Sequence, residues 1–247
     1  MQRENRIGTP FFELSEVDSS NNYAMRQVQA HLAVHGSVWF AHYQKAGKGQ
    51  RGKVWNAEHS QNIMMSAAIE PSIISVDEQF VINAAVALAC YDFLIKYAVD
   101  EISIKWPNDL YWKDRKAGGI LIENVVSGEI LKWSIIGIGI NINQTLFPTA
   151  LKNPVSLKQI TGSTFNVIDM AKELCDHLEV RWQQTLQMSN DELMKEYCSH
   201  LYKRDEQVTF KNSNEIFTAV VRGVTRRGEL LLEKNEGIVA YSSIEWL

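Results

Sequence analysis

The sequence predicts an α/β (α+β) fold, with a mixed sheet flanked by helices over residues 1–200 and a small β domain over residues 201–247. Three observations carry that expectation. Strand-period and helix-period segments are interleaved through the first two hundred residues. One long apolar helical run, centred on Val81 to Ala89, has the spacing to lie against a core. From about Arg204 the period changes to short alternating strands punctuated by Gly228 and Gly237.

The elements follow in order. "DSSNNYAMRQVQAHLAVHG" opens on capping residues, continues in helical period and stops at Gly36. "SVWFAHYQ" alternates as a strand and runs into a glycine-rich loop, and "NIMMSAAI" is a second strand. "VDEQFVINAAVALACYDFLIKYAV" is a long core helix with Asp77 as its expected cap. "EISIKW" is a short strand ended by Pro107. "GGILIENVV", "SGE" and "ILKWSIIGIGINI" form a hairpin whose second strand enters the core. Residues 166–187 and 190–200 are helical in period, and "EQVTFK", "IFTAVVRGV", "ELLLEK" and "GIVAYS" are the strands of the tail.

Composition sets limits on function. With 45% hydrophobic and 22% charged residues the chain has the profile of a soluble globular protein, and its formal net charge of −4 argues against a general nucleic-acid binder. The tail, from residue 201, holds seven acids and seven bases, so it is no basic arm. The run around Val81 to Ala89 is short for a bilayer span, and "MQRENRIGTPFFELSE" lacks an apolar signal region, which points to a cytoplasmic protein. Cys90, Cys175 and Cys198 are odd in number and far apart, as expected of reduced thiols.

"GKGQRGKVW", residues 47–55, partly fits two phosphate-binding signatures and satisfies neither. Val54 stands where a P-loop needs a hydroxyl for magnesium, and no helix opens after the glycines as a dinucleotide fold requires. Its physical content survives. Lys45, Lys48, Arg51 and Lys53 bring four cations and no acid, and three glycines let backbone N–H groups approach an anion. Such a loop gains from binding an anion and is expected to be mobile without one.

Three further polar clusters fall at element ends. Asp18 to Asn22 starts a helix with more polar side chains than one cap needs. "KWPNDLYWKDRKAGG", residues 105–119, is turn-rich, and Lys116 precedes Gly118 and Gly119 at the start of an apolar strand. That lysine either points into a site or guards a strand edge. "GIGIN" places Gly137 and Gly139 in a buried strand, implying close approach by a ligand or a neighbouring helix, with Asn141 at its end. Trp55 either stacks on an aromatic base or folds over its own loop. His31 and His35 are the only histidines at metal-ligand spacing, and they lack the glutamate of a zincin.

In their order along the chain, these clusters resemble the biotin–protein ligase family. "DSSNN" is similar to its D-S-T-N element, and "YQKAGKGQRGKVW" to its ligand loop. "KWPNDL" and "RKAGGILIE" are similar to its most distinctive segments, and "GIGININ" to the strand after the hairpin. The resemblance implies a catalytic domain of the kind shared with lipoate ligases and class II synthetases, followed by an SH3-like C-terminal β-barrel. It also implies roles. Ser19, Ser20, Asn21 and Gln44 would hold the ureido ring of biotin. Lys48, Gly49 and Gln50 would close over its carboxylate and the phosphate, in a loop that Gly47 opens and Arg51 and Gly52 continue. Trp55 and Asn141 would lie on the adenylate side. Lys116, with Gly119 just beyond it, would contact the carboxylate and α-phosphate. Gln50 stands where the family usually has arginine, and Ser20 where it has threonine.

The implied chemistry is ATP-dependent. Biotin becomes biotinyl-5′-AMP with release of pyrophosphate, and a lysine of a biotin carboxyl carrier protein then takes the biotin. Joining a carboxylate to a polyanion is opposed by charge, so the expected catalysts are positioned cations, N–H donors and Mg²⁺. Lys116, Lys48 and Arg51 are the catalytic candidates, and no protein metal ligands are expected. A lipoate or octanoate ligase and a biotin-binding regulator are the alternatives. Only 17 residues precede Asp18, too few for a three-helix DNA-binding domain, so no DNA partner is expected. No membrane partner is expected either, and exposed strand edges leave a homodimer open.

Overall fold

The structure, a computed structural model, describes residues 6–71, 74–98, 101–213, 215–235 and 237–247. The start of the chain (residues 1–5) and the end of the expected core helix at Val99 lie outside the described residues. Seven strands form the main sheet: β1 (Phe11–Leu14), β2 (Val38–Ala41), β3 (Ile63–Ile69), β4 (Ile102–Lys105), β5 (Asp109–Trp112), β6 (Arg115–Ser127) and β7 (Ile130–Ile140). Their order is β1-β2-β3-β7-β6-β5-β4. Only β1 and β2 pair in parallel, so the sheet is mixed, as expected.

Helices cover both faces. α2 (Phe80–Ile95) and α4 (Val167–Thr185) bury one face, with α5 (Asn190–Ser199) packed on α2 and β9, while α1 (Ser20–Gln29) lies on the other. A short α3 (Leu157–Thr161) is closed at its start by a reciprocal capping box between Ser156 and Gln159. β3 is buried along its whole length because both its faces are covered: Ile63, Met65, Ala67 and Ile69 join the large core, and Ala68 joins a small cluster with Ala24 and Val28 of α1.

The C-terminal strands β8 (Gln207–Asn212), β9 (Glu215–Val224), β10 (Leu230–Lys234), β11 (Gly237–Tyr241) and β12 (Glu245–Trp246) form an antiparallel sheet in the order β11-β10-β9-β8-β12. Its inward residues Phe210, Val221, Leu230 and Leu232 belong to the same buried cluster as α2 and the main sheet. The contact is specific as well as apolar. The Trp106 indole N–H donates to Gly228 O at 2.9 Å, and the backbone of β4 meets the chain around Leu201 through Ile104.

Several local expectations need correction. α1 ends at Gln29 rather than near Gly36, because His31 takes a left-handed φ of 57° and Leu32 is left exposed. His31 and His35 therefore share no helix. Asp77 does not cap the core helix. It sits in a 3₁₀ turn over Val76–Glu78, and Gln79 occupies the cap position. That turn continues into α2 to give a helical stretch, Val76–Ile95, long and apolar enough to cross a membrane. Its apolar residues are spent on the core, where Val81, Ile82, Leu88 and Phe93 are fully buried. β1, β5, α3 and β12 carry no clear periodic signal, being only two to five residues each.

Candidate active site

Strand alternation delivers the site. On the main sheet the residues facing α2 and α4, such as Ile104, Leu110, Ile120, Ile136 and Ile138, are core, and Ile122 packs against them. Their neighbours, Lys105, Asp109, Gly119, Leu121, Glu123, Gly137 and Gly139, turn to the opposite face. Lys116 reaches that face only through an irregularity. Leu110 pairs with Gly118 but Tyr111 pairs with Lys116, so Ala117 is an extra residue in β6. Without this bulge Lys116 would share the parity of Gly118 and point into the core.

This face, with α1, the 44–56 loop and the end of the C-terminal sheet, encloses a cavity of about 730 Å³. Its size suits an acyl-nucleotide-sized ligand. Of the residues named from sequence, Ser19, Ser20, Asn21, Gln44, Lys48, Gly49, Gln50, Arg51, Trp55, Lys116, Gly119 and Asn141 all line it. Gly47 and Gly52 do not. Gly47 closes the base of the loop, where Trp55 N donates to its carbonyl at 2.8 Å, and Gly52 lies in the turn at φ 75°.

At the α1 end the hydrogen bonds fix which polar atoms stay free. Asn21 spends both amide protons, on Leu121 O at 3.2 Å and Glu123 Oε2 at 2.9 Å. Ser66 Oγ lies 2.6 Å from Asn21 Oδ1 and 2.8 Å from Ser20 Oγ. An amide oxygen cannot donate, so Ser66 gives its one proton to Asn21 and takes that of Ser20. Ser20 N donates to Gln44 Oε1 at 2.7 Å. Lone pairs of Ser20 and Asn21 and the Gln44 amide N–H therefore remain for a ligand. Ser19 holds the cap position, and among the described residues its hydroxyl makes no cap bond. Asp18 instead takes Asn22 and Arg26, and the Arg26 guanidinium holds its carboxyl well below the usual range.

The loop is a small hairpin. Lys48 and Val54 form an antiparallel bridge, Gly49 N donates to Lys53 O at 2.7 Å, and Arg51 at the tip takes a left-handed φ of 55°. Lys48 Nζ reaches Glu123 Oε1 at 3.1 Å, so one carboxylate ties the loop to the Asn21 end. The Trp55 ring lies on the Gly139 backbone, where a Cβ would come within 2.5 Å of it, and a Cβ at Gly137 would overlap the Asn21 amide. The close approach implied by the two glycines is thus made by the site's own side chains. Among the described residues the buried Trp55 indole N–H has no hydrogen-bond partner.

At the other end Lys116 Nζ pairs with Asp109 Oδ1 at 2.7 Å and stands 5.8 Å from the Trp55 ring centre. The Asn141 amide is committed to structure: it donates to Val155 O at 3.1 Å, pinning the segment before α3. Ser66, Glu123 and the wall formed by Lys105, Tyr111 and Trp246 were not singled out from sequence. Ser66 had a signal, as the one polar residue inside the apolar run of β3. Trp246, remote in sequence, had none.

Residues 14–141, which carry the cavity face of the mixed sheet, match the biotin/lipoate A/B protein ligase family, and the chain belongs to that family. Residues 205–243 match the biotin protein ligase C terminal domain, which places the chain with the biotin protein ligases within that family. The chain is 29% identical over 227 residues to the bifunctional ligase/repressor BirA of Bacillus subtilis, covering 90% of this chain and 69% of that one. It is 31% identical over 186 residues to the biotin--[acetyl-CoA-carboxylase] ligase of Paracoccus denitrificans, covering 70% and 72%. Its fold is similar to that of the biotin protein ligase from Aquifex aeolicus solved in complex with biotin and ATP, with TM-score 0.80, 23% identity and coverage of 96% and 98%.

Proposed function

We infer that the chain is an ATP-dependent biotin–protein ligase that makes biotinyl-5′-AMP and passes biotin to a lysine of a biotin carboxyl carrier protein. One observation carries the reading: Lys116, turned to the site face by the bulge, lines the same cavity as the Ser20–Asn21–Gln44 wall and the cationic loop. That wall offers acceptors from Ser20 and Asn21 and a donor from Gln44. A cyclic urea, with N–H groups flanking a carbonyl, is its complement. The acid's carboxylate then extends toward Lys48, Arg51 and Lys116.

Catalysis follows from charge. A carboxylate oxygen attacks the α-phosphorus, the bond to the β-bridging oxygen breaks, and pyrophosphate leaves. Lys116 and the loop cations offset the repulsion on approach and hold the acid near the α-phosphate. Gly49, Gln50 and the loop N–H groups cover the product and keep water from the mixed anhydride. In the second step the acceptor lysine attacks the acyl carbon and AMP departs. Mg²⁺ enters with ATP as part of the substrate. It would arrive held by the phosphate oxygens.

In this reading residues 1–200 are the catalytic domain and 201–247 the C-terminal domain. The protein works in the cytoplasm, and its partner is the carrier protein rather than DNA. The test is biotin-dependent exchange of pyrophosphate into ATP, run in parallel with lipoate and octanoate. Exchange with biotin alone supports the reading. Exchange with lipoate or octanoate in its place replaces it with the alternative ligase, and none with any acid leaves a binding protein.

A further inference from the structure

Residues 48–53 form the tip of the cationic loop, and most of their bonds stay inside the hairpin. Lys48 bridges Val54, Gly49 N donates to Lys53 O, and Lys53 N donates to Gln50 O. Among the described residues, the one hydrogen bond or ion pair that ties this tip to the body of the protein runs from Lys48 Nζ to Glu123 Oε1, at 3.1 Å. Glu123 leaves β6 on the site face, yet Lys48 lines the cavity and Glu123 does not. The Glu123 side chain is 33% exposed. The cation meant for a ligand is therefore held by an acid that stands outside the ligand's space.

Two carboxylates then compete for one ammonium: that of Glu123 and that of the acid bound in the cavity. Attraction between opposite charges grows as water is excluded, so the ammonium goes to the less hydrated acid. A carboxylate inside the cavity is less hydrated than one outside it. Lys116 faces a different situation. It is fixed in the sheet by its bulge, and its partner Asp109 lines the same cavity. Lys48 sits on a hairpin whose tip has no other such tie among the described residues, so transfer of its ammonium moves the loop. The second oxygen of Glu123, Oε2, stays on Asn21 Nδ2 at 2.9 Å, so the acid itself is anchored while its cation changes partner.

We propose that Glu123 is the latch of the cationic loop: it holds Lys48 until the carboxylate of the bound acid takes the ammonium over, and the loop then closes. The proposal rests on the ligase reading of this cavity. Glu123 touches no reacting atom and acts as a positioning residue. The latch answers only to a charged acid, because a neutral ligand has no charge to offer Lys48. It therefore favours biotin that can react over biotin whose carboxyl is already blocked, and it does so through the motion of the loop.

Calorimetry with biotin and with biotin methyl ester separates the latch from a general structural role. Both compounds carry the ureido ring, so a disturbance at Asn21 acts on them alike. Glu123→Gln keeps an oxygen for Asn21 and removes the charge. Its preference for biotin over the ester should rise about two- to fivefold above the wild type, the scale of one partly exposed ion pair that no longer has to be displaced. Added to Lys48→Met, the same change should leave the preference where Lys48→Met alone puts it, because the pair is already broken. A second measurement needs no ligand. Trypsin should cut the full chain after Arg51 about two- to fivefold faster in Glu123→Gln, since the tip has lost its tie. A shift that persists in the Lys48→Met background overturns the latch, and so does a loop cut at the wild-type rate. A wild type that binds neither compound takes down the ligase reading and the latch together, whereas binding with an unchanged preference in Glu123→Gln overturns the latch alone.

Discussion

At the residue scale the site depends on a few side chains whose orientation is set by backbone detail. Lys116 was legible as a candidate because two glycines and an apolar strand follow it. Its direction was not legible, since the bulge at Ala117 exists only in the pairing of β5 with β6. Lys116→Ala is expected to cut biotin-dependent ATP–pyrophosphate exchange by roughly 10²-fold, the scale of losing one positioned charge. Exchange at the wild-type rate removes Lys116 from the mechanism. Gly137→Ala is a second residue-scale test. A methyl there overlaps the Asn21 amide, so biotin affinity by calorimetry should fall about tenfold or more while the fold survives. Unchanged affinity would mean that Asn21 does not hold the ligand. Glu123 shows what single-sequence reading misses. It looks like an ordinary strand carboxylate, and only the pairing of β6 beside α1 and the loop reveals that it serves both Asn21 and Lys48.

Strands were the most legible elements where alternation was long and the least where they were short. The β6–β7 hairpin and the tail strands β8 to β11 lie where the sequence places them, although β11 is exposed along most of its length instead of alternating. β5 lies inside a run of charges and turn residues, and its four residues are held by neighbours on both sides rather than by any pattern of their own. The 47–55 loop is neither of the two standard phosphate loops it partly fits. It is a hairpin whose bridge between Lys48 and Val54 carries the cations over the cavity. A Cβ at Gly49 would lie 3.1 Å from Lys53 O, closer than an ordinary contact, and the surface hairpin need give by only a few tenths of an ångström to admit it. Gly49→Ser should therefore leave stability nearly unchanged and weaken biotin binding, because the added side chain keeps the backbone from the ligand. Calorimetry giving equal affinities would place the ligand away from this backbone. Limited trypsin digestion addresses the loop directly. Cleavage after Lys48, Arg51 or Lys53 should slow when biotin and ATP are both present, as expected of a lid that closes over its product.

On the scale of the whole molecule, the change of period near residue 200 made two sheets legible from sequence, but not that they share one core. Phe210, Val221, Leu230 and Leu232 pack into the cluster that α2 dominates, and Gly228 at φ 85° lets Phe80 lie against the backbone. One cooperative thermal transition is therefore expected, coincident by near- and far-UV dichroism. Gly228→Val should lower stability by about 2–4 kcal/mol and Tm by roughly 5–15 °C. Two separated transitions in the wild type would mean that the sheets melt independently. The same core fixes a pH dependence. Burial pushes His177 and His200 below the ordinary imidazole value, so the fold keeps them neutral. As pH falls below about 6.5 the unfolded chain binds protons that the fold refuses, and stability drops. Tm should decrease from pH 7 toward pH 5, less steeply in His200→Gln; a flat profile contradicts this.

Everything functional rests on one cavity holding both an organic acid and a nucleotide so that they can be joined. The most direct measurement is the mass of the compound that stays with the protein after incubation with biotin and Mg-ATP and removal of free ligand. The account predicts biotinyl-5′-AMP in about equimolar amount, with pyrophosphate in solution. Recovery of unreacted biotin and intact ATP, or of an adenylate of a different acid from a mixture, would contradict it.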